Sequence, residues 1–177
     1  DGVPVSSLIE LQNGAKPVAM LTGQPERHYL LSGSGGYGFI AKLGDMVGRV
    51  KAGKVVMTVD SGETVLLPIA VYASSLINPD CKIVLASSDH RLLAFSIGEL
   101  KVMPKGRGLQ LMSLTEGASL EHVLVTTAAE FIVETVGKRG AAHQEKLRIC
   151  DIDGKRGKKG KVLDISGRLK TLSAASA

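Results

Sequence analysis

One pattern recurs three times along this chain, and it restricts the possible folds more than any other feature. The first copy reads YLLSGSGGYGFIAKLGDMV (Tyr29 to Val47), followed by KAGKVVMTV (Lys51 to Val59). The second reads KIVLASSDHRLLAFSIGEL (Lys82 to Leu100), followed by PKGRGLQLMSL (Pro104 to Leu114). The third reads HVLVTTAAEFIVETVG (His122 to Gly137), followed by KRGKKGKVLDI (Lys155 to Ile165). Each copy holds an apolar run, a short turn, a second apolar run and a connector. A loop of glycines and cations then opens a third apolar run. Gly53, Gly108 and Gly160 fall at matching places, 55 and 52 residues apart. A further run opens each unit: SSLIEL, TVLLPIAVYA and ASLEHV.

The runs are 5–8 residues long, rich in Val, Leu, Ile and Thr, and bounded by turn residues. Such runs read as strands, and short turns between them read as hairpins. Four short strands per period of about 50 residues is the pattern of propeller-type blades, in which each unit buries its faces only by stacking on its neighbours. The expected fold is therefore all-β: a single repeat domain, 1–177, of about three four-stranded blades. Blade 1 covers about 5–59, blade 2 about 64–114 and blade 3 about 118–166, with 167–177 as a terminal tail. The stretch KRGAAHQEKLRICDID in the third unit reads as an insertion.

Composition supports this. Hydrophobic residues make up 44% of the chain but aromatics only 3%, with no Trp, so the core must come from Val, Leu, Ile, Ala and Met. The 21 glycines lie between apolar runs, where tight turns need them. Cys81 and Cys150 are far apart and form no C-x-x-C pair, which suggests neither a disulfide framework nor a zinc site and makes a reducing compartment the expectation. No apolar run reaches membrane-spanning length and no secretory signal is read. A chain that begins at Asp1 rather than Met is expected to be a piece of a longer protein.

The net charge of +5 is unevenly placed. Residues 1–137 carry 11 Lys/Arg and 13 Asp/Glu, whereas residues 138–177 carry 11 Lys/Arg and 4 Asp/Glu. This asymmetry points to a polyanionic partner, the plain alternative being a solubilising terminus. The densest cluster, GKRGKKGK (Gly154 to Lys161), is the third copy of an element that also appears as KAGK and KGRG. A tail has no reason to recur inside a fold, so a loop is expected. Its glycines tolerate positive φ and let backbone N–H groups face an anion.

The candidate DNA-binding residues are Lys51 and Lys54 in the first loop and Lys105 and Arg107 in the second. Lys155, Arg156, Lys158, Lys159 and Lys161 belong to the third, with Lys138 and Arg139 in the inserted segment. Equivalent loops of successive blades lie along one rim. A rim of cations contacts phosphates, so it positions and bends a duplex without reading bases. The competing reading is a solvated charged edge that guards strands against pairing.

Other motifs carry less. GSGGYG (Gly33 to Gly38) matches G-x-G-x-x-G, but a dinucleotide site needs a helix after it, and FIAKL reads as a strand. His28, His90, His122 and His143 show no ligand spacing, so no metal site is read. Asp151 and Asp153 flank Ile152 and are expected on one strand face, beside the basic loop. No catalytic constellation is visible.

Two stretches carry a resemblance: LLSGSGGYGFIAKLGDMVGRVKAGKVVMTV (Leu30 to Val59) and VGKRGAAHQEKLRICDIDGKRGKKG (Val136 to Gly160). Together with the blade pattern, over roughly residues 1–170, they resemble the C-terminal domain of the bacterial topoisomerase IV A subunits, a relative of the C-terminal domain of the DNA gyrase A subunits. The resemblance implies a β-pinwheel, in which neighbouring blades exchange strands. The blades here are fewer than is usual in this family, so an open, broken ring is expected. It implies a non-catalytic segment whose cationic edge binds and bends duplex DNA, tuning decatenation and supercoil relaxation. The gyrase box Q-(R/K)-R-G-G-(R/K)-G is degenerate here: GKRGKKG, Gly154 to Gly160, lacks the leading Gln and the paired glycines. That departure favours topoisomerase IV over a gyrase-type wrapping domain.

The family's cleaving tyrosine and its ATPase lie in other regions, so Tyr29, Tyr37 and Tyr72 are not read as nucleophiles. No cofactor is expected on this segment, although the whole enzyme would use ATP and Mg. The implied partners are duplex DNA, a second copy of the topoisomerase IV A subunit, and the topoisomerase IV B subunit, in a cytoplasmic, nucleoid-associated setting. The alternatives are a gyrase-type wrapping domain, a propeller docking an acidic protein, and a nucleotide-dependent oxidoreductase built on GSGGYG.

Overall fold

The computed structural model describes residues 2–4, 7, 9–11, 15–137, 140–164 and 167–175. Eleven strands lie among these residues. They are β1 (His28–Ser32), β2 (Tyr37–Lys42), β3 (Ile69–Val71), β4 (Lys82–Ser87), β5 (Arg91–Ser96), β6 (Leu109–Gln110), β7 (Leu120–Thr126), β8 (Glu130–Val136), β9 (Ala142–Arg148), β10 (Lys161–Val162) and β11 (Arg168–Ala174). Two helices, α1 (Leu43–Met46) and α2 (Ala73–Ile77), are single turns. The strands form three antiparallel sheets, in the orders β3-β1-β2-β6, β10-β5-β4-β7 and β11-β8-β9.

The fold is the β-pinwheel expected, and the sheet orders show the exchange directly. β6 follows the second glycine-cation loop yet pairs with β2 of the first unit, Gly38 opposite Leu109. β10 follows the third loop yet pairs with β5 of the second unit, Leu92 opposite Lys161. Each loop thus carries its strand back into the preceding sheet.

Stacking explains why the strands read as unbroken apolar runs rather than alternating ones. On β4, Ile83 and Leu85 face a core shared with sheet 1 (Leu30, Ile40, Leu111, Met112), while Val84 and Ala86 face a core shared with sheet 3 (Phe131, Val133, Ile149, Leu169). A strand buried on both faces needs apolar residues at every position. β8 lies in the terminal sheet and packs only one face, so EFIVETV alternates, with Phe131, Val133 and Thr135 inward.

The third unit departs from the sequence reading. HVLVTT and EFIVETV do not form a hairpin. β7 is the outer strand of sheet 2, paired with β4, and β8 belongs to sheet 3. The hairpin partner of β8 is β9, inside the stretch expected to be an insertion, with Glu130 opposite Arg148 and Val136 opposite Ala142. β9 was hidden because AHQEKLR is an exposed edge strand with almost no buried side chain to set a period. The residues after Ser166, expected to be a tail, include β11, which pairs with β8 along its length.

Candidate nucleic-acid interface

The three glycine-cation loops are joined by backbone hydrogen bonds rather than merely sharing a surface. The Gly106 N–H donates to Val56 O at 2.9 Å, and the Thr58 N–H donates to Gly106 O at 3.0 Å. One unit on, the Gly157 N–H donates to Leu111 O at 2.8 Å, and the Ser113 N–H donates to Lys158 O at 3.0 Å. Each loop therefore lies against the strand that leaves the loop before it. The result is a continuous edge running from Lys51–Lys54, through Lys105–Gly108, to Lys155–Lys161.

Glycine makes the close approach possible at two points. Gly108 has φ +87°, and a Cβ there would lie 2.2 Å from Gly38 O. Gly160 has φ +74°, and a Cβ there would lie 2.5 Å from Leu92 O. Any side chain would push β6 off β2, or β10 off β5, in addition to the strain of positive φ.

The sequence-predicted cations separate into two groups. Lys51, Lys105, Lys155, Lys158 and Lys159 are exposed and make no ion pair or side-chain hydrogen bond among the described residues. The other described candidates are committed within the fold. The Arg107 guanidinium lies 2.7 Å from Asp60 and 3.2 Å from Glu63, and stands 4.0 Å from the centre of the Tyr37 ring. It ties the second loop to the first unit. Arg156 donates from its guanidinium to Gln110 O at 2.7 Å, and its backbone N–H donates to Glu99 at 3.0 Å. The Nε atoms of both arginines are buried without a partner, as expected for side chains sunk into the loops rather than reaching outward. Lys54 Nζ donates to Asp45 O, and Lys161 Nζ donates to Asp151 O. Lys138 and Arg139 lie outside the described residues.

Sequence reading overlooked Arg49, an exposed cation two residues before Lys51. Its place in GRVKAGK was the available signal. Asp151 and Asp153 do not share a strand face. Asp151 closes a 3-10 turn and pairs with Arg148 at 3.0 Å, while Asp153 pairs with Lys82 at 2.9 Å. Neither carboxylate neutralises a lysine of the third loop.

The segment GSGGYG is the β1–β2 hairpin turn, closed by Gly36 N–H donating to Gly33 O at 3.0 Å. Its Gly36 carbonyl receives the Leu111 N–H at 2.7 Å, and the helix that a dinucleotide site requires does not follow. Among the described residues no cluster of His, Cys, Asp and Glu is placed to hold a metal, and no helix is long and apolar enough to cross a membrane.

Three stacked sheets joined by exchanged strands are an architecture this chain shares with solved C-terminal domains of DNA topoisomerase IV and DNA gyrase A. The E. coli ParC C-terminal domain superposes with a TM-score of 0.84 at 23% identity, over 97% of this chain and 70% of that one. The DNA gyrase A C-terminal domain superposes with a TM-score of 0.69 at 20% identity, over 97% of this chain and 58% of that one. At these identities the match shows the fold. No family model matches the chain. The sequence relationship is carried by the DNA topoisomerase 4 A subunit of Neisseria gonorrhoeae, 70% identical over 174 residues, 98% of this chain. By sequence the chain matches the C-terminal part of that subunit, and by fold the C-terminal domains above. It spans 23% of the length of that relative.

Proposed function

We propose that this domain binds duplex DNA along the joined edge of glycine-cation loops and bends it, presenting a DNA segment to a type II topoisomerase. The observation that carries the reading is the division of labour among the cations. Arginines and carboxylates fasten each loop to its neighbour, and this leaves a row of exposed lysines with no internal counter-charge among the described residues. Such a row costs self-repulsion unless a polyanion occupies it. Lysine suits the task, since a compact mobile charge follows a phosphate backbone without demanding a base. The third loop contributes most, through Lys155, Lys158 and Lys159. Its backbone is held by Glu99, Leu111 and Ser113, and its Arg156 side chain by Gln110, so the lysines project from a fixed base.

In this reading the chain supplies no catalytic group. Decatenation, ATP use, Mg, the B subunits and the second of the paired A subunits belong to the larger enzyme, whose choice of DNA crossings the domain tunes. The blade limits of the sequence reading serve as sequence repeats, the second and third of which lend their loop strands to the preceding sheet.

The test is fluorescence anisotropy on a random-sequence duplex across a salt series. Five neutralised phosphates give a log–log slope of about −4 to −5. Replacing Lys155, Lys158 and Lys159 by Ala should reduce the slope by about 2–3 units. Binding by both proteins with the same slope, or by neither, overturns the proposal and leaves the edge as a solvated guard on the sheets.

A further inference from the structure

The second and third glycine-cation loops start alike and are fastened differently. The Met103 N–H donates to Ile40 O in β2, and the Gly154 N–H donates to Ala94 O in β5. Three residues on, the Gly106 N–H donates to Val56 O and the Gly157 N–H to Leu111 O. Lys105 and Arg156 therefore occupy the same place. Beyond it the loops diverge. Only Arg107 stands between Gly106 and Gly108, whereas Lys158 and Lys159 stand between Gly157 and Gly160. Arg107 clamps its loop to Asp60, Glu63 and Tyr37. Lys158 and Lys159 are exposed and clamp nothing among the described residues. The longer loop is held instead at Arg156, by its side chain on Gln110 O and by its backbone on Glu99.

The Glu99 carboxylate accepts the Arg156 N–H at 3.0 Å, 57 positions away in sequence. Glu99 ends a 3-10 turn, Ile97–Glu99, which Ser96 caps by accepting the Gly98 N–H. Buried Ile97 and Leu100 flank it and fix its backbone, so the carboxylate has a set direction. Glu99 is exposed and makes no ion pair among the described residues, although cations crowd the loop it holds. Its partner is backbone, not a lysine. The first unit shows the effect of a shorter reach. Asp45 stands at the matching place on α1, one methylene shorter, and its carboxylate makes no hydrogen bond among the described residues. The Lys105 N–H, the counterpart of Arg156, finds no backbone acceptor there.

We propose that Glu99 is a positioning residue for the DNA interface: its carboxylate holds the Arg156 N–H and so sets the third loop in the shape that presents Lys155, Lys158 and Lys159 to phosphates. The role rests on the DNA reading above, and it carries a reversal of sign. By charge alone, a carboxylate beside a phosphate site repels the ligand, so its removal tightens binding. As a holder, it orders a glycine-rich loop before DNA arrives, and its removal leaves that ordering cost to the binding step. Glutamine keeps an acceptor oxygen and drops the charge, whereas alanine drops both. The two substitutions separate the roles.

The test is an anisotropy titration of a random-sequence duplex with this chain, Glu99→Gln and Glu99→Ala, together with amide exchange without DNA. Glu99→Gln should bind at least as tightly as the parent. Glu99→Ala should bind about three- to tenfold more weakly, although it loses the same negative charge. Its salt slope should stay within about half a unit of the parent's, because the lysines that meet phosphate are unchanged. Without DNA, the Arg156 amide should exchange about tenfold faster in Glu99→Ala and near the parent rate in Glu99→Gln. Equal tightening by both substitutions, or a parent-like Arg156 amide in Glu99→Ala, overturns the proposal and leaves Glu99 as an opposing charge. Absence of duplex binding by the parent overturns the DNA reading and this role with it, an outcome distinct from binding that both substitutions shift alike.

Discussion

Replacing Gly108 by Ala tests how β6 is held in the sheet of another unit. Two costs arise at this position. An L-residue at φ +87° is strained by about 1–2 kcal/mol. The new Cβ would also lie 2.2 Å from Gly38 O and 2.9 Å from Phe39 Cδ1, both fixed in β2, so the strands must part. Overpacking of that kind adds about 1–3 kcal/mol. The expected loss is therefore about 2–5 kcal/mol. Gly53→Ala is the matched control in this chain: the same sign of φ, at +77°, and nothing within 4 Å of the Cβ. It should lose only the strain, about 1–2 kcal/mol. Urea unfolding of the three proteins, followed by circular dichroism, reads both values from the midpoints at constant slope. Amide exchange at Leu109 and Gln110 then reports whether β6 has left β2. If the two variants lose the same stability and β6 stays protected, the close approach has no role and the explanation of these glycines fails.

Arg107→Ala should lower stability by about 1–2 kcal/mol, through loss of the Tyr37 stacking and the Asp60 and Glu63 pairs. It should change the DNA salt slope by less than about half a unit, which would separate it from Lys158→Ala in the same titration. Asp89 gives the acid limb of stability. Burial raises its carboxyl, but hydrogen bonds from Ser87, Thr115 and Arg91 outweigh this and hold it below the ordinary value. Its stabilisation is therefore present above the unfolded value of about 4 and is lost as pH falls through the folded one, so the stability gap between the parent and Asp89→Asn should close on acidification. His122 acts nearer neutrality. Burial lowers its affinity for a proton, partly offset by Glu121 and reinforced by Arg168, so unfolding takes up the proton. Stability should be full above about pH 6.5 and decline as pH falls toward the folded value, and His122→Gln should flatten that decline in denaturation curves between about pH 5 and 7.

The sequence by itself determined that the chain is a stacked β array. Continuous apolar runs such as KIVLAS and RLLAFS belong to strands buried on both faces, and the alternation of EFIVETV belongs to a strand buried on one. It also determined where the cations sit, because a glycine-cation loop that recurs at a fixed period is a feature of linear order. Tertiary structure alone decided pairing. β6 and β10 are two residues each, too short to announce a partner, and they reach one through contacts about 70 positions distant. β9 stayed hidden because a polar edge strand has no buried side chains to impose a period. Nor does linear order separate arginines locked onto carboxylates and carbonyls from lysines left in solvent. Lys105 and Arg107 stand two residues apart in one loop, yet one is free and the other is clamped by Asp60, Glu63 and Tyr37, residues at least 44 positions away. Charge is a property of the residue, but whether that charge is available is a property of its neighbours in space.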